Sequence, residues 1–235
     1  MRDTKAGQGR LISADLGRRV LSFGNKRSHN MIFICALLAL VACATGQAEV
    51  DFITLATVWP QSDCEVHKHD TCTIPASTNT FTLRGFWPDN FGGEYPVDCE
   101  GEEFDITQLQ SLVPLLEQLW PNVLEDGTNE ELWKEQWDRH GKCAVEAGLF
   151  TNQETYFSEA LTQVVRYNAF QTFYYRFNVN CQYLSDPDRF VLSELQVCFN
   201  QTMSPIDCYI DGDHTSYHTH GCDVTGEVLY LPIQH

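Results

Sequence analysis

Cysteine placement constrains this chain more than any other feature. Of ten cysteines, Cys35 and Cys43 lie in an apolar run that starts at Met31 and reads MIFICALLALVACATGQA. The run is about a dozen residues long, ends in small residues and follows Arg27. That is the pattern of a secretory signal peptide, and it is short for a membrane span. The predicted leader is residues 1–48, with an apolar core at about 31–44 and cleavage near Ala44–Ala48; either Met1 or Met31 starts it, and an uncleaved anchor is the competing reading. The remaining cysteines are Cys64, Cys72, Cys99, Cys143, Cys181, Cys198, Cys208 and Cys222. An even set behind a secretory signal implies an oxidising compartment, extracellular or endolysosomal, and about four disulfides. Scattered spacing does not suggest paired zinc knuckles. Eight cysteines allow about a hundred pairings, so spacing alone selects none. Asn200-Gln201-Thr202 is a glycosylation acceptor, expected on a surface loop.

Charge narrows the function classes. Asp and Glu total 32 against 15 Lys and Arg, a formal −17. Removing the leader leaves eight basic and thirty acidic side chains, a formal −22. Nucleic-acid affinity draws largely on Lys and Arg neutralising phosphates, so the charge argues against a general polyanion-binding surface. Apolar residues at 43% and aromatics at 12% are too many for a disordered chain. Composition also excludes collagen-like, coiled-coil and multi-span membrane proteins. Residues 49–235 fit one domain.

Periodicity supplies the elements. Residues 51–59 and 80–87 are rich in β-branched and aromatic residues and are predicted strands. Alternation there places Phe81, Leu83 and Gly85 on one face and Thr82, Arg84 and Phe86 on the other. Ile106, Leu109, Leu112, Leu116 and Leu119 have helical spacing behind Asp105 as N-cap, with Pro114 expected to kink or split the helix. Thr128 with Glu131 opens a helix through about His140, and Gly141 suits the residue beyond its end. Thr151 with Glu154 repeats the pattern before an amphipathic helix carrying Tyr156, Phe157, Ala160 and Leu161. Residues 189–199 and 227–233 are further predicted strands. The fold class is α+β: one disulfide-stabilised domain, with a mostly antiparallel sheet packed with several helices.

Two segments concentrate candidate chemistry: Phe81-Thr82-Leu83-Arg84-Gly85-Phe86-Trp87-Pro88-Asp89-Asn90 and Leu132-Trp133-Lys134-Glu135-Gln136-Trp137-Asp138-Arg139-His140-Gly141-Lys142-Cys143. On the second, Gln136 and His140 share one helix face, while Trp133 and Trp137 share another and read as core. Together the segments resemble the two active-site motifs of the ribonuclease T2 family, secreted endoribonucleases that include fungal acid ribonucleases and plant S-ribonucleases. The first family motif runs aromatic-x-x-His-Gly-Leu-Trp-Pro, and the second Trp-x-His-Glu-Trp-x-Lys-His-Gly-Thr-Cys. The Trp59-Pro60 pair and the cysteine order extend the resemblance over most of residues 51–235.

The departures matter as much as the matches. Arg84 stands where the first motif has histidine, and Glu135-Gln136 stand where the second has His-Glu; His140 is retained. The family cleaves RNA by attack of a 2′-hydroxyl on the adjacent phosphorus, giving a cyclic phosphate. That reaction needs one group to take a proton, another to give one, and donors on the phosphoryl oxygens. The resemblance implies the acid at position 84, the base at 140 and phosphate contacts at 135 and 136. Arginine stays protonated and cannot cycle a proton. Glu135 sets an anion against an anionic phosphate, and Gln136 cannot ionise. The resemblance also implies that Trp87, Asp89 and Tyr95 bind the nucleobase, two rings for stacking and a carboxylate for an exocyclic amine. It implies the pairs Cys64–Cys72, Cys99–Cys143, Cys181–Cys222 and Cys198–Cys208.

Two function classes follow. One is a secreted ribonuclease-like protein with little or no nuclease activity, serving binding, storage or defence, with weak contact to single-stranded RNA or nucleotides and none to a membrane after cleavage of the leader. The other is a working endoribonuclease with a displaced acid. No cofactor is expected. His67 and His69, and His214, His218 and His220, read as solvated loop histidines, with a transition-metal site the minor reading. The run Glu100, Glu102, Glu103 and Asp105 reads as a solvated face and helix start, with a weak calcium site the minor reading.

Overall fold

Runs of β-branched and aromatic residues pair at the centre of the sheet in this computed structural model, which describes residues 49–67, 71–91, 95–124, 127–167, 177–185, 188–208, 219–220, 222 and 228–235. The chain divides into two units, Met1–Gly46 and Gln47–His235. The predicted leader lies outside the described residues, as do His69, His214 and His218.

Strand β1 (Phe52–Val58) is buried along its whole length and pairs antiparallel with β2 (Thr82–Asp89) on one side and β4 (Asp188–Asn200) on the other. β4 pairs antiparallel with β3 (Asn178–Ser185), and three two-residue strands extend the sheet: β5 (Pro205–Ile206), β6 (Thr219–His220) and β7 (Val228–Leu229). The predicted strand over 227–233 is thus only its β7 portion. Between β1 and β2, helix α1 (Pro60–Val66) starts on Pro60, whose missing N–H is no loss in a first turn. Trp59 Nε1 donates to the Leu231 carbonyl at 2.7 Å, and Gln61 Oε1 accepts from Gln234 N at 2.8 Å, so the C-terminal segment fastens α1.

Strict alternation breaks in β2. Gly85 pairs with Ala56 but Leu83 pairs with Thr57, which leaves Arg84 as an extra residue, a β-bulge. The bulge lets Leu83 and Phe86, of opposite parity, both enter the core, and it turns Arg84 outward.

Asp105 caps as expected, its carboxylate accepting from Thr107 N at 2.9 Å. Pro114 splits the run in two: a 3₁₀ turn over Ile106–Leu109, then α2 (Val113–Leu119) with the proline in its first turn. The acidic run keeps Glu100, Glu102 and Glu103 exposed, and two of its members also make contacts. Buried Gln153 reaches Glu102 and the Glu103 carbonyl, and Lys142 pairs with Glu103 at 3.5 Å.

Helix α3 (Asn129–Gln136) opens with the Thr128–Glu131 capping box. It does not stop at His140. A π-helical turn over Trp137–Gly141 carries the chain into α4 (Lys142–Glu146), with Lys142 N–H reaching back to the Trp137 carbonyl. Gly141 has helical φ, and a Cβ there would fall 2.3 Å from the Trp137 ring. Glycine is required for close packing under Trp137. Gly148, at φ +76°, takes the left-handed conformation just past the helix. Helix α5 (Gln153–Arg166) is capped by Asn152 with Thr155, one residue later than Thr151 with Glu154 would place it. The core lies between the sheet and these helices, joining Ile53, Leu55, Leu83 and Phe86 to Trp120, Trp133, Trp137 and Phe157. Two of these tryptophans satisfy their N–H groups on backbone carbonyls: Trp133 donates to the Trp120 carbonyl at 2.8 Å and Trp137 to the Glu102 carbonyl at 2.7 Å.

Four disulfides join Cys64 to Cys72, Cys99 to Cys143, Cys181 to Cys222 and Cys198 to Cys208, with Cα separations of 5.6, 5.0, 4.8 and 5.1 Å. Among the described residues no helix is long and apolar enough to cross a membrane.

Candidate active site

The two motifs meet in one cleft. The bulge in β2 places Arg84, Trp87 and Asp89 along one wall, and the end of α3 with the π turn after it presents Gln136, Arg139 and His140 from the other. All six line a cavity of roughly 670 Å³, together with Glu135, Asp63 and Tyr95. The Cys99–Cys143 bridge ties the loop beyond β2 to the helix that follows His140. Asp98 beside it donates its backbone N–H to the Arg139 carbonyl at 3.0 Å, which braces the π turn from outside.

His140 is 8% exposed, and its Nδ1 meets no hydrogen-bond partner among the described residues. Burial, helped by the neighbouring Arg139 charge and opposed by Asp98, lowers its pKa to about 4. A neutral imidazole at the cleft wall can accept a proton but does not hold one to give. Gln136 is buried beside it and accepts from the Trp87 indole N–H at 3.0 Å. The Trp87 ring stands 5.7 Å from the His140 ring. It also folds back over Gly85, where a Cβ would come within 1.9 Å of Nε1. Gly85 is therefore required by the indole above it, and Trp87 forms part of the fixed wall.

Arg84 does not stand free. Its Nε lies 3.2 Å from Glu194 and its Nη1 3.7 Å from Asp63. The arginine side chain is 48% exposed, whereas those of Asp63 and Glu194 are 13% and 11% exposed. Desolvation raises both carboxyl pKa values above the ordinary range, with the Arg84 charge working against the shift. Glu194 is further held through Oε1, which accepts from Asn180 at 2.7 Å and Gln196 at 2.8 Å. Glu135 is exposed and paired with Arg139 at 3.5 Å, and Arg139 also approaches Asp98 at 4.0 Å.

Asp89 accepts from Asn90 N at 2.9 Å; burial pushes its carboxyl up, while the Asn90 and Thr54 hydrogen bonds oppose that. Tyr95 is 53% exposed at the mouth of the cleft. The structure thus brings together every residue expected in the two motif sites, and adds three that sequence reasoning missed: Asp63, Arg139 and Glu194. Arg139 had a visible signal, a cation beside the retained histidine. Glu194, an acid inside an apolar strand, carried a weaker one. Among the described residues no three His, Cys, Asp or Glu side chains are arranged to hold a metal.

An antiparallel sheet backed by helices, four disulfides and two tryptophan-rich motifs across one cleft define a ribonuclease-like α+β protein. The chain belongs to the Ribonuclease T2 family, whose sequence model matches residues 50–176, more than half of its length. Ribonuclease T2 protein rnst-2 of Caenorhabditis elegans is 25% identical over 213 residues, 78% of this chain and 76% of that protein. A ribonuclease-like storage protein of Panax ginseng is 23% identical over 205 residues, 73% of this chain and 82% of its own. Among solved structures, a substituted RNase MC1 in complex with 5′-GMP matches with a TM-score of 0.60 at 27% identity, covering 70% of this chain and 97% of that one.

Proposed function

We propose that this protein is a secreted ribonuclease T2-like protein that holds nucleotides or single-stranded RNA in its cleft and cleaves them poorly or not at all. The observation that carries this reading is the state of Arg84. At the position where the family resemblance expects the proton donor stands a permanent cation tied to two carboxylates. Opposite it, His140 is suited to take a proton, so the pair lacks its giving half. Losing general acid catalysis lowers a rate by roughly 10²–10⁴. Glu135 adds a negative charge on the wall expected to face phosphate.

Several features support binding without turnover. Trp87, Asp89 and Tyr95 line the cleft. The matched RNase MC1 structure contains 5′-GMP, and the ginseng relative is described as a storage protein. Secretion is supported by the apolar leader ending near Ala44–Ala48 and by the disulfides, which suit an oxidising compartment. Asn200 at the end of β4 is then a site for glycan addition: its Oδ1 accepts from Thr202 N and Thr202 Oγ1.

One observation favours a second reading, an active endoribonuclease with a displaced acid. Asp63 lines the same cavity, and burial holds its carboxyl above the usual range. The experiment is the initial rate of cyclic-phosphate formation from a dinucleotide at pH 5 and pH 7, beside equilibrium binding of 5′-GMP. Binding without measurable turnover is expected. Turnover at ordinary enzyme rates, about 1–10³ per second, abolished by Asp63→Asn, would establish the second reading instead.

A further inference from the structure

Arg84 borders two cavities. On one side is the cleft. On the other is a second cavity of roughly 450 Å³ lined by Asp63, His67, Arg84, Asn180, Ser193 and Glu194. The guanidinium sits at the divide, and both of its ion pairs are made to groups that line this second cavity. Two carboxylates facing one cation leave the cluster with a net negative charge while both are ionised. A phosphate arriving in the cleft therefore meets an arginine whose charge is already neutralised.

We propose that Asp63 and Glu194 act as a proton-operated latch on Arg84, holding its guanidinium when ionised and freeing it, when protonated, to bind the phosphate of a nucleotide or RNA strand in the cleft. This rests on the reading that the cleft binds nucleotides. The two oxygens of Glu194 divide the work. Oε1 is held by the Asn180 and Gln196 amides, so the carboxyl stays in place; Oε2 faces Arg84, and a proton taken there removes the ion pair. Burial already raises both carboxyl pKa values, so they protonate at a higher pH than exposed acids do. The sign follows: ionised above the raised pKa, the latch is closed, and it opens as pH falls through it. A released guanidinium offers two parallel donors to phosphate oxygens.

The other charged groups around Arg84 are known. Just past α1, His67 lies 3.5 Å from Asp63, and positive charge on it favours the ionised aspartate and so works against opening. From β3 and β4 come the neutral amides of Asn180 and Gln196. Across the cleft stand Glu135 and Arg139, paired with one another, and His140, which stays neutral until about pH 4. Asp89 lies further along β2.

The test is calorimetric titration with 5′-GMP and with inorganic phosphate at pH 7.5 and 5.0 and fixed ionic strength. The proteins are the parent, the Asp63→Asn/Glu194→Gln double variant, each single variant, and the double variant carrying Arg84→Gln. The parent is expected to gain roughly ten-fold in affinity on acidification, the scale of one hydrogen-bonded charge contact. The double variant should bind at pH 7.5 about as tightly as the parent at pH 5.0 and lose most of its pH response. Adding Arg84→Gln should erase that gain. If the double variant fails to fold, each single variant should still show a partial gain at pH 7.5. A folded double variant with the parent's weak binding at pH 7.5 and the parent's full pH response would overturn the latch while leaving cleft binding intact. No binding of 5′-GMP or phosphate by any form at either pH would remove both the latch and the binding reading beneath it.

Discussion

The two ends of the cleft have diverged unequally from the family motifs. At the arginine end, Arg84, Glu135 and Gln136 all depart from the expected residues, and only His140 remains. At the aromatic end, Trp87, Asp89 and Tyr95 match the residues that the family resemblance assigns to the nucleobase. Close packing underlies both ends: Gly85 lies under the Trp87 ring and Gly141 under the Trp137 ring, and the Cys99–Cys143 bridge ties the loop beyond β2 to α4. A fold keeps what packing requires, because a close contact between a glycine and a tryptophan tolerates no Cβ. Proton-transfer residues at the surface of a cleft are free to change, because their loss costs rate and not stability. The arginine end has in addition gained its own structural logic, since Arg84 now satisfies two buried carboxylates.

The most severe test of that contrast is repair. Restoring the motif residues with Arg84→His, Glu135→His and Gln136→Glu should raise the initial rate of cyclic-phosphate formation, more than the sum of the separate changes, because groups acting as one catalytic unit are non-additive. Arg84→His by itself strips the partner from Asp63 and Glu194, and leaving buried charges unpaired is strongly destabilising. The larger gain, roughly 10²–10⁴ in rate, is therefore expected when Asp63→Asn and Glu194→Gln accompany the triple change. A folded quintuple variant with no activity would show that the arginine end has diverged beyond these positions.

His140 gives the second prediction. Its folded pKa of about 4 lies below the unfolded value of about 6.5, so the folded state binds fewer protons between them. Stability attributable to this residue is present above about pH 6.5 and is lost as pH falls toward 4. His140→Asn should flatten that part of the pH–stability curve, measured by thermal melts. An NMR titration of the imidazole should give a midpoint near 4; a midpoint at 6 or above would mean that the imidazole is solvated and the cleft wall more open than described.

The elements written in local pattern were legible in the sequence; those set by contacts across the chain were not. Capping at Thr128, the Pro114 break and the core tryptophans follow from neighbours a few residues away. Strand β3 carries a period-2 signal, Asn178, Asn180 and Gln182 alternating with Val179, Cys181 and Tyr183, but it has no apolar run, and the role of its polar residues appears only against β4, where Asn178 and Asn180 bond to Gln196 and Glu194. The bulge at Arg84 was invisible for a similar reason: alternation assumes a regular ladder, and the register shift is made with β1. The site was legible where motifs carry it. Asp63 and Glu194 escaped because they lie far from Arg84 along the chain and meet it only through the folding of α1 and β4.

The glycine at the joint between the two ends provides the third prediction. Gly85→Ala would place a methyl group within 1.9 Å of the Trp87 indole. Overpacking of this kind costs about 1–3 kcal/mol, which in a domain of this size lowers Tm by roughly 2–4 °C for each kcal/mol. The displaced indole must also release Gln136, so nucleotide affinity should fall together with stability. A variant that loses neither would show that Trp87 has room to swing clear, and that the two ends are less tightly joined than the packing implies.

Tyr95 isolates the aromatic end with the smallest expected effect. At 53% exposed it contributes little to the core, so its removal should leave the melting temperature within about 1 °C of the parent's. Stacking of a base on an aromatic ring is worth roughly 1–3 kcal/mol by alanine substitution. A half-exposed ring belongs at the low end of that range, about a five-fold loss of 5′-GMP affinity in Tyr95→Ala. Tyr95→Phe keeps the stacking face and should bind like the parent, whereas a role for the hydroxyl would make the two variants alike. Inorganic phosphate carries no base, so its affinity should be unchanged in both. That last comparison separates the ends of the cleft most cleanly: a phosphate affinity that fell in Tyr95→Ala would mean that the tyrosine shapes the arginine end, and that the division between a rebuilt phosphate site and a retained base site does not hold.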